Sequence, residues 1–317
     1  MSVAYFVHRA AMSRAQDERS VKFYDAFPAV RQLYGDIATW TGVPEERVIG
    51  GDLPEEHELR NSVLAIRSIA AQIAVHDVLV AEGVCPQVVV ALSLGISSAS
   101  AMIGALSRPD LFGLLWHRRF MPEPAPDGPA EGVAFCCLAA DSDLDRIYSK
   151  EHDGIYVGVD FGVTPDGLCR NVLLSGHREA LERLADEDPR VTMGAGTTAK
   201  HSPLRKPVSD FLREYVSTLT FADPAIPLAT CQGDRLLTTA EEVCEAIWWN
   251  DSHMSSVPSG ITQAVNANAQ LFLVPGPSTV AGIIDFTVPV MVVQEPADIE
   301  TVVAAVNRLP SALRAVG

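Results

Sequence analysis

Positive charge is scarce in this sequence: 24 lysines and arginines face 40 aspartates and glutamates, a formal net charge of -16. A surface of that sign repels phosphate backbones and anionic headgroups, so neither nucleic acid nor membrane is expected as a partner. Cysteine is sparse as well. Six residues (Cys85, Cys136, Cys137, Cys169, Cys231, Cys244) are scattered without a C-x-x-C pair or a histidine at ligand spacing, which argues against a zinc site or a disulfide framework. Reduced cysteines, mostly in the core, and no metal are expected. No uninterrupted apolar stretch reaches membrane-span length, and the opening apolar run meets His8 and Arg9 too soon for a secretory core, so a cytoplasmic location is expected. Internal repeats and low-complexity tracts are missing too.

What is present is 317 residues, 48% of them hydrophobic, enough for one large domain or for one with a smaller insert. The most telling stretch is VVVALSLGISSASAMIGAL, Val88 to Leu106. Its valine run, tight Ser-Leu-Gly turn and helical spacing of small residues predict strand, turn and helix, with Ser93 at the turn. Helix formers fill Val63 to Glu82 just before it, and Gly83 and Pro86 end that helix. The alternation predicts an α/β fold with a mainly parallel sheet. Prolines and glycines cluster at Met121 to Gly132, and beyond them the order strand (VAFCCLAA), helix (SDLDRIYSK), strand (GIYVGVDF), strand (NVLLSG), helix (HREALERLADE), strand (RVTMGAG) suits a ferredoxin-like α+β insert. The expected division is 1–126 with 196–317 as the large domain and 127–195 as the small one. After the insert, SDFLREYVSTL and AEEVCEAIWWN read as helices, PLATCQGDRLL as strand and hairpin, and AQLFLVPGP and PVMVVQE as strands before a last helix.

A serine nucleophile needs a sharp turn, small neighbours and backbone N–H groups aimed at the developing oxyanion. Ala91 and Gly95 flank Ser93 at suitable offsets, yet a serine capping a helix explains the same five residues. His201, in TTAKHSPLRKP, returns the chain from the insert at a loop, a place suited to a general base and equally to a structural histidine. Lys200, Arg205 and Lys206 around it form a basic cluster that suggests an anionic handle on the substrate; a solvated face explains it as well. The segment GAGTTAK bears a partial likeness to a phosphate-binding loop, but Ala199 and His201 stand where that loop needs glycine and serine or threonine, which argues against nucleotide binding.

Taken together, these segments resemble the malonyl-CoA:acyl carrier protein transacylase family. Ala91-Leu92-Ser93-Leu94-Gly95-Ile96 matches the family's G-H-S-x-G-E, and His201-Ser202-Pro203-Leu204 its H-S-P-L. NVLLSG, LFLVPGPSTVAGII and PLATCQGDRLLTTAEEV match three further segments, so the likeness spans nearly the whole chain. The resemblance implies an α/β-hydrolase-like large domain, Ser93 as nucleophile, His201 as its base with the ring oriented by backbone carbonyls, and no cofactor beyond the pantetheine or CoA that substrates carry. It also implies an acyl thioester as substrate and an acyl carrier protein as partner.

The departures fall at positions that face substrate. Phe6 to Met12 replaces the family's F-P-G-Q-G-S-Q loop, which leaves the N–H of Leu94 as one oxyanion donor and a backbone donor near Arg9 as the other. The family's R-G-x-F-M arginine, which clamps a free carboxylate, aligns with His117, and helical spacing turns Arg118 and Arg119 elsewhere. Leu92 and Ile96 replace a histidine and a glutamate, making the pocket more apolar, and Asn250 in WWNDSH stands for a family glutamine. The expected activity is transfer of a non-carboxylated acyl group, aminoacyl and peptidyl groups included, to a carrier protein in specialised polyketide-type, antibiotic-like biosynthesis. An acyl-carrier hydrolase and a catalytically dead carrier-binding scaffold are the alternatives.

Overall fold

Two strands that are buried along their whole length set the centre of the molecule. In the computed structural model, which describes residues 2–9, 13–124, 128–144, 154–278 and 280–308, β1 (Val3–His8) and β2 (Val88–Leu92) lie side by side and parallel. Continuous apolar runs such as VAYFV and VVVAL are what a parallel sheet covered on both faces requires. With β3 (Glu131–Ala139), β4 (Ile155–Val163), β5 (Cys169–His177), β6 (Val191–Met193), β7 (Leu228–Thr230), β8 (Leu236–Leu237), β9 (Ser255–Ser256), β10 (Leu271–Pro275) and β11 (Val290–Val293), the strands form two sheets. The six-stranded sheet runs β11-β10-β1-β2-β7-β8 and is parallel except for the β7–β8 hairpin.

The helix His57–Ala81 packs on this sheet. Its 25 residues are long and apolar enough to cross a bilayer, but 83% of its apolar window is buried inside the protein. It is a core helix, and Ile66, Ile69 and Ile73 are fully covered. The stretch 14–49, which carries no assignment from sequence, supplies the helices Arg14–Ala26, Pro28–Thr41 and Glu45–Ile49 on the same side. The opposite face is closed by Phe6, Val90, Phe272 and Phe286 with Val257 and Ile261 of the helix Val257–Asn266.

The second sheet has the order β6-β3-β5-β4-β9. Its first four strands carry the ferredoxin-like arrangement expected from sequence, with the helix Arg178–Glu187 against them. Most of the helix expected over 142–150 lies outside the described residues. One strand comes from beyond the expected insert: Ser255–Ser256 pairs in parallel with Val159 and Asp160, so the chain ties the small sheet to the stretch that follows Asn250. The cysteines depart from expectation. Cys136 and Cys231 are buried, whereas Cys85 and Cys137 are exposed and the other two half-buried.

Candidate active site

Ser93 follows β2 directly and takes a left-handed backbone conformation, φ 56°, a region that non-glycine residues visit rarely and functional turns exploit. The turn closes because Gly95 opens the helix Gly95–Met102 against β1: a Cβ on Gly95 would lie 2.2 Å from the Val7 carbonyl oxygen. His201 also has positive φ, 57°, and its backbone N–H donates to the Asp251 carbonyl at 2.9 Å. The two turns bring His201 Nε2 within 2.8 Å of Ser93 Oγ. On the other side of the ring, Nδ1 lies 2.9 Å from the Asn250 carbonyl.

A carbonyl only accepts, so Nδ1 carries the proton and Nε2 is left to accept from the serine hydroxyl. The Asn250 carbonyl also accepts from Gln232 Nε2 at 2.9 Å, which fixes the acceptor itself. Burial pushes the His201 pKa below its ordinary value against the pull of the Asp251 charge and the Asn250 carbonyl. That favours the neutral ring, the form in which a base accepts a proton. Leu94 N–H lies at the start of the helix that follows Ser93, where the helix dipole favours negative charge. Arg9 follows His8, which pairs with Leu92, so its backbone runs beside Ser93 across the parallel register.

Ser93 opens into a cleft of about 290 Å³, walled by Leu94, Asn250, the loop 195–198 and a group of charged side chains. Arg118 donates to both Asp251 carboxylate oxygens at 3.1 Å, and Arg205 pairs with Glu131 at 3.4 Å. Arg9 and Lys200 have no ion-pair partner among the described residues; desolvation of its ammonium and the charges of Arg9, Arg118 and Arg205 push the otherwise exposed Lys200 down to about 8, and desolvation with the charge of Arg118 pushes Arg9 down to about 10, against the pull of Asp251 on both. A second cavity of about 540 Å³, lined by Tyr156, Trp248, Trp249 and Met254, touches His201 but not Ser93.

No protein-family model matches the chain. In sequence it is similar to the polyketide synthase GfsB of Streptomyces halstedii, 29% identical over 219 residues. It is also similar to a mycocerosic acid synthase-like polyketide synthase of Mycolicibacterium smegmatis, 29% identical over 159 residues. These matches cover 66% and 50% of this chain but only 4% and 7% of those proteins. Among solved structures, a malonyl-transacylase in complex with a type II polyketide synthase acyl carrier protein superposes with TM-score 0.83 at 19% identity, over 96% of this chain and all of that one. The malonyl-CoA:acyl carrier protein transacylases of Xanthomonas oryzae and Helicobacter pylori give 0.81 and 0.82 at 19% and 14% identity, covering 96% and 98% of this chain and 98% and 100% of theirs. The fold is that of the malonyl-CoA:acyl carrier protein transacylases.

Within this transacylase fold, the residues singled out from sequence separate into those at the cleft and those away from it. Ser93, Leu94, Arg9, Asn250, Lys200 and Arg205 line it, and His201 reaches Ser93. Asn250 holds the histidine through its backbone carbonyl, a different task from that of a side chain facing substrate. Leu92 packs into the core with Phe6, Val159 and Phe272 and is not at the cleft, because it is the last inward residue of a buried strand. His117 is not there either: it stacks on Tyr215, 3.9 Å between ring centres at 10°, and on Phe211 at 5.1 Å. The helix Arg108–His117 tightens into a 3-10 turn over Arg118–Phe120, which turns Arg118 into the cleft where α-helical spacing sent it elsewhere. Lys206 pairs with Asp210 at the second cavity. Gln232 and Asp251 carry no signal of their own in the sequence, and Arg118 is set aside there on helical spacing; Asp251 stands next to Asn250 in WWNDSH, and only that adjacency hints at it.

Proposed function

We propose that this chain is an acyltransferase that accepts an acyl group on Ser93 from a thioester and passes it to the phosphopantetheine thiol of an acyl carrier protein. The observation that carries this reading is the 2.8 Å contact between Ser93 Oγ and His201 Nε2, with Nδ1 held by a backbone carbonyl. His201 takes the hydroxyl proton as Ser93 attacks the thioester carbonyl, and the amide N–H groups of Leu94 and Arg9 receive the oxyanion. The protonated ring then gives its proton to the leaving thiolate, and the incoming thiol reverses the sequence. No step draws on a metal or cofactor. The acyl group is one without a carboxylate, aminoacyl and peptidyl groups included; the guanidinium nearest that task, Arg118, is already paired. Residues 1–126 and 196–317 form the acyltransferase domain, with 127–195 as its small subdomain.

Intact mass spectrometry after incubation with acyl thioesters of CoA and of carrier proteins tests the reading. A mass gain is expected from an uncharged acyl donor, and none in Ser93→Ala; no gain from any donor would leave the scaffold reading standing. Partition of label between carrier protein and free acid separates transfer from hydrolysis.

Of the three basic residues near His201, Lys200 faces the cleft, and Lys206 lies on the other side of the histidine. Lys200→Glu is expected to slow carrier-dependent transfer about tenfold at low salt, with the effect shrinking as salt screens it. Lys206→Glu is expected to leave the rate within about a factor of two. Equal effects of the two in a salt titration would count against a carrier or pantetheine contact at Lys200.

A further inference from the structure

We propose that Asp251 is the specificity-determining residue of the cleft: it occupies Arg118 and so turns away acyl groups that carry a carboxylate. This inference rests on the acyl-serine reading above. A guanidinium at the wall of an acyl cleft is a natural partner for a carboxylate, because its planar fork matches the two oxygens. Here an internal carboxylate already sits on it. Both Asp251 oxygens lie 3.1 Å from Arg118 Nη2, and the two side chains retain only 17% and 14% of their exposure.

Asp251 is not placed there by a loose surface loop. It lies in the 3-10 turn Asn250–Ser252, between the carbonyl that accepts from the His201 ring and Ser252, whose hydroxyl meets Ser209 Oγ at 2.8 Å. Its own carbonyl accepts from the His201 backbone N–H. Moving Asp251 aside therefore means moving the support of the catalytic base. A carboxylated acyl group drawn to Arg118 would have to displace Asp251 from it, leaving a largely buried carboxylate without its partner, or share the guanidinium with that carboxylate as a like charge. An uncharged acyl group meets neither penalty. The selection is thus made by repulsion and by an occupied arginine, with the histidine-bearing turn as its rigid mount.

The test compares the unsubstituted protein, Asp251→Asn and the double variant Asp251→Asn with Arg118→Ala, each offered acetyl and malonyl donors. Asp251→Asn keeps the side-chain shape and removes the charge. The expected result is a ratio of malonyl to acetyl loading of Ser93 raised on the order of 100-fold by Asp251→Asn, and that gain in ratio lost in the double variant. Malonyl loading of the unsubstituted protein at the acetyl rate would overturn the inference, since Arg9 or Lys200 would then be serving as the carboxylate site. Unchanged malonyl rejection in an Asp251→Asn protein that still loads acetyl would overturn it equally. Binding supplies a readout without chemistry: in a Ser93→Ala background, Asp251→Asn should shift the ratio of malonyl-CoA to acetyl-CoA affinity toward malonyl by a similar factor, and Asp251→Ser should do the same if the asparagine variant does not fold. No loading by any donor alongside that shift would sink the acyl-serine reading and leave the lock intact. A ratio that does not move would sink the lock itself.

Discussion

Replacement of His201 by alanine is expected to slow acylation of Ser93 by about 10²–10⁴-fold, the range that a positioned general base supplies. Stopped-time mass spectrometry of the acyl-enzyme measures it directly. The loss should fall on the chemical step, because the ring touches the reacting oxygen at 2.8 Å and is held from behind by the Asn250 carbonyl. The pH dependence carries a second signature. Burial lowers the pKa of His201 from its ordinary value of 6.5, so the neutral, proton-accepting form persists into more acidic solution. The acid limb of kcat/KM is therefore expected below 6.5 and absent from what little activity His201→Ala retains. An acid limb above that value would mean that the cleft stabilises the charged ring more than burial disfavours it.

Gly95→Ala is expected to cost about 3 kcal/mol or more of stability, as overpacking against immovable neighbours does, and to abolish Ser93 acylation in whatever remains folded. The neighbours are backbone: the added Cβ would meet the Val7 oxygen at 2.2 Å, the Val7 carbon at 2.5 Å and the His8 Cα at 2.8 Å. Those atoms belong to β1, the strand between β10 and β2 in the main sheet, so neither partner can shift without shearing the sheet. Gly104 gives the comparison. Its φ of +76° is left-handed, unlike that of Gly95, but nothing lies within 4 Å of a Cβ there, so Gly104→Ala should cost only about 1 kcal/mol from backbone strain. Urea unfolding of the two variants separates contact from strain, and equal midpoints would show that helix and strand yield at Gly95 without cost.

The legibility of the fold followed burial. Segments that are apolar without interruption, VVVAL and LFLVP, announce themselves as covered parallel strands, and the alternation of strands and helices through 131–193 marks a ferredoxin-like unit. Of the helices over 14–49, Arg14–Ala26 does not announce itself because charges dilute its apolar positions, and Pro28–Thr41, with its buried Val30, Leu33, Tyr34 and Ile37, carries a helical pattern without an assignment from sequence. Ser255–Ser256 is a strand only because β4 is beside it; two serines carry no strand signal of their own.

By itself, the sequence determined the chemistry available: a serine between a valine strand and a small-residue helix, a histidine at a loop after the insert, and an acidic surface. Local periodicity suffices for these, since it is written in neighbouring residues. Only the tertiary structure decided which side chains meet. Ser93 and His201 are 108 residues apart, and Arg118 and Asp251 are 133 apart. Whether residue 117 or 118 faces the cleft turned on one tightened helical turn, and whether that arginine is free turned on a carboxylate brought in by another segment. Such pairings are settled by packing across the fold, and no local pattern in the chain encodes them.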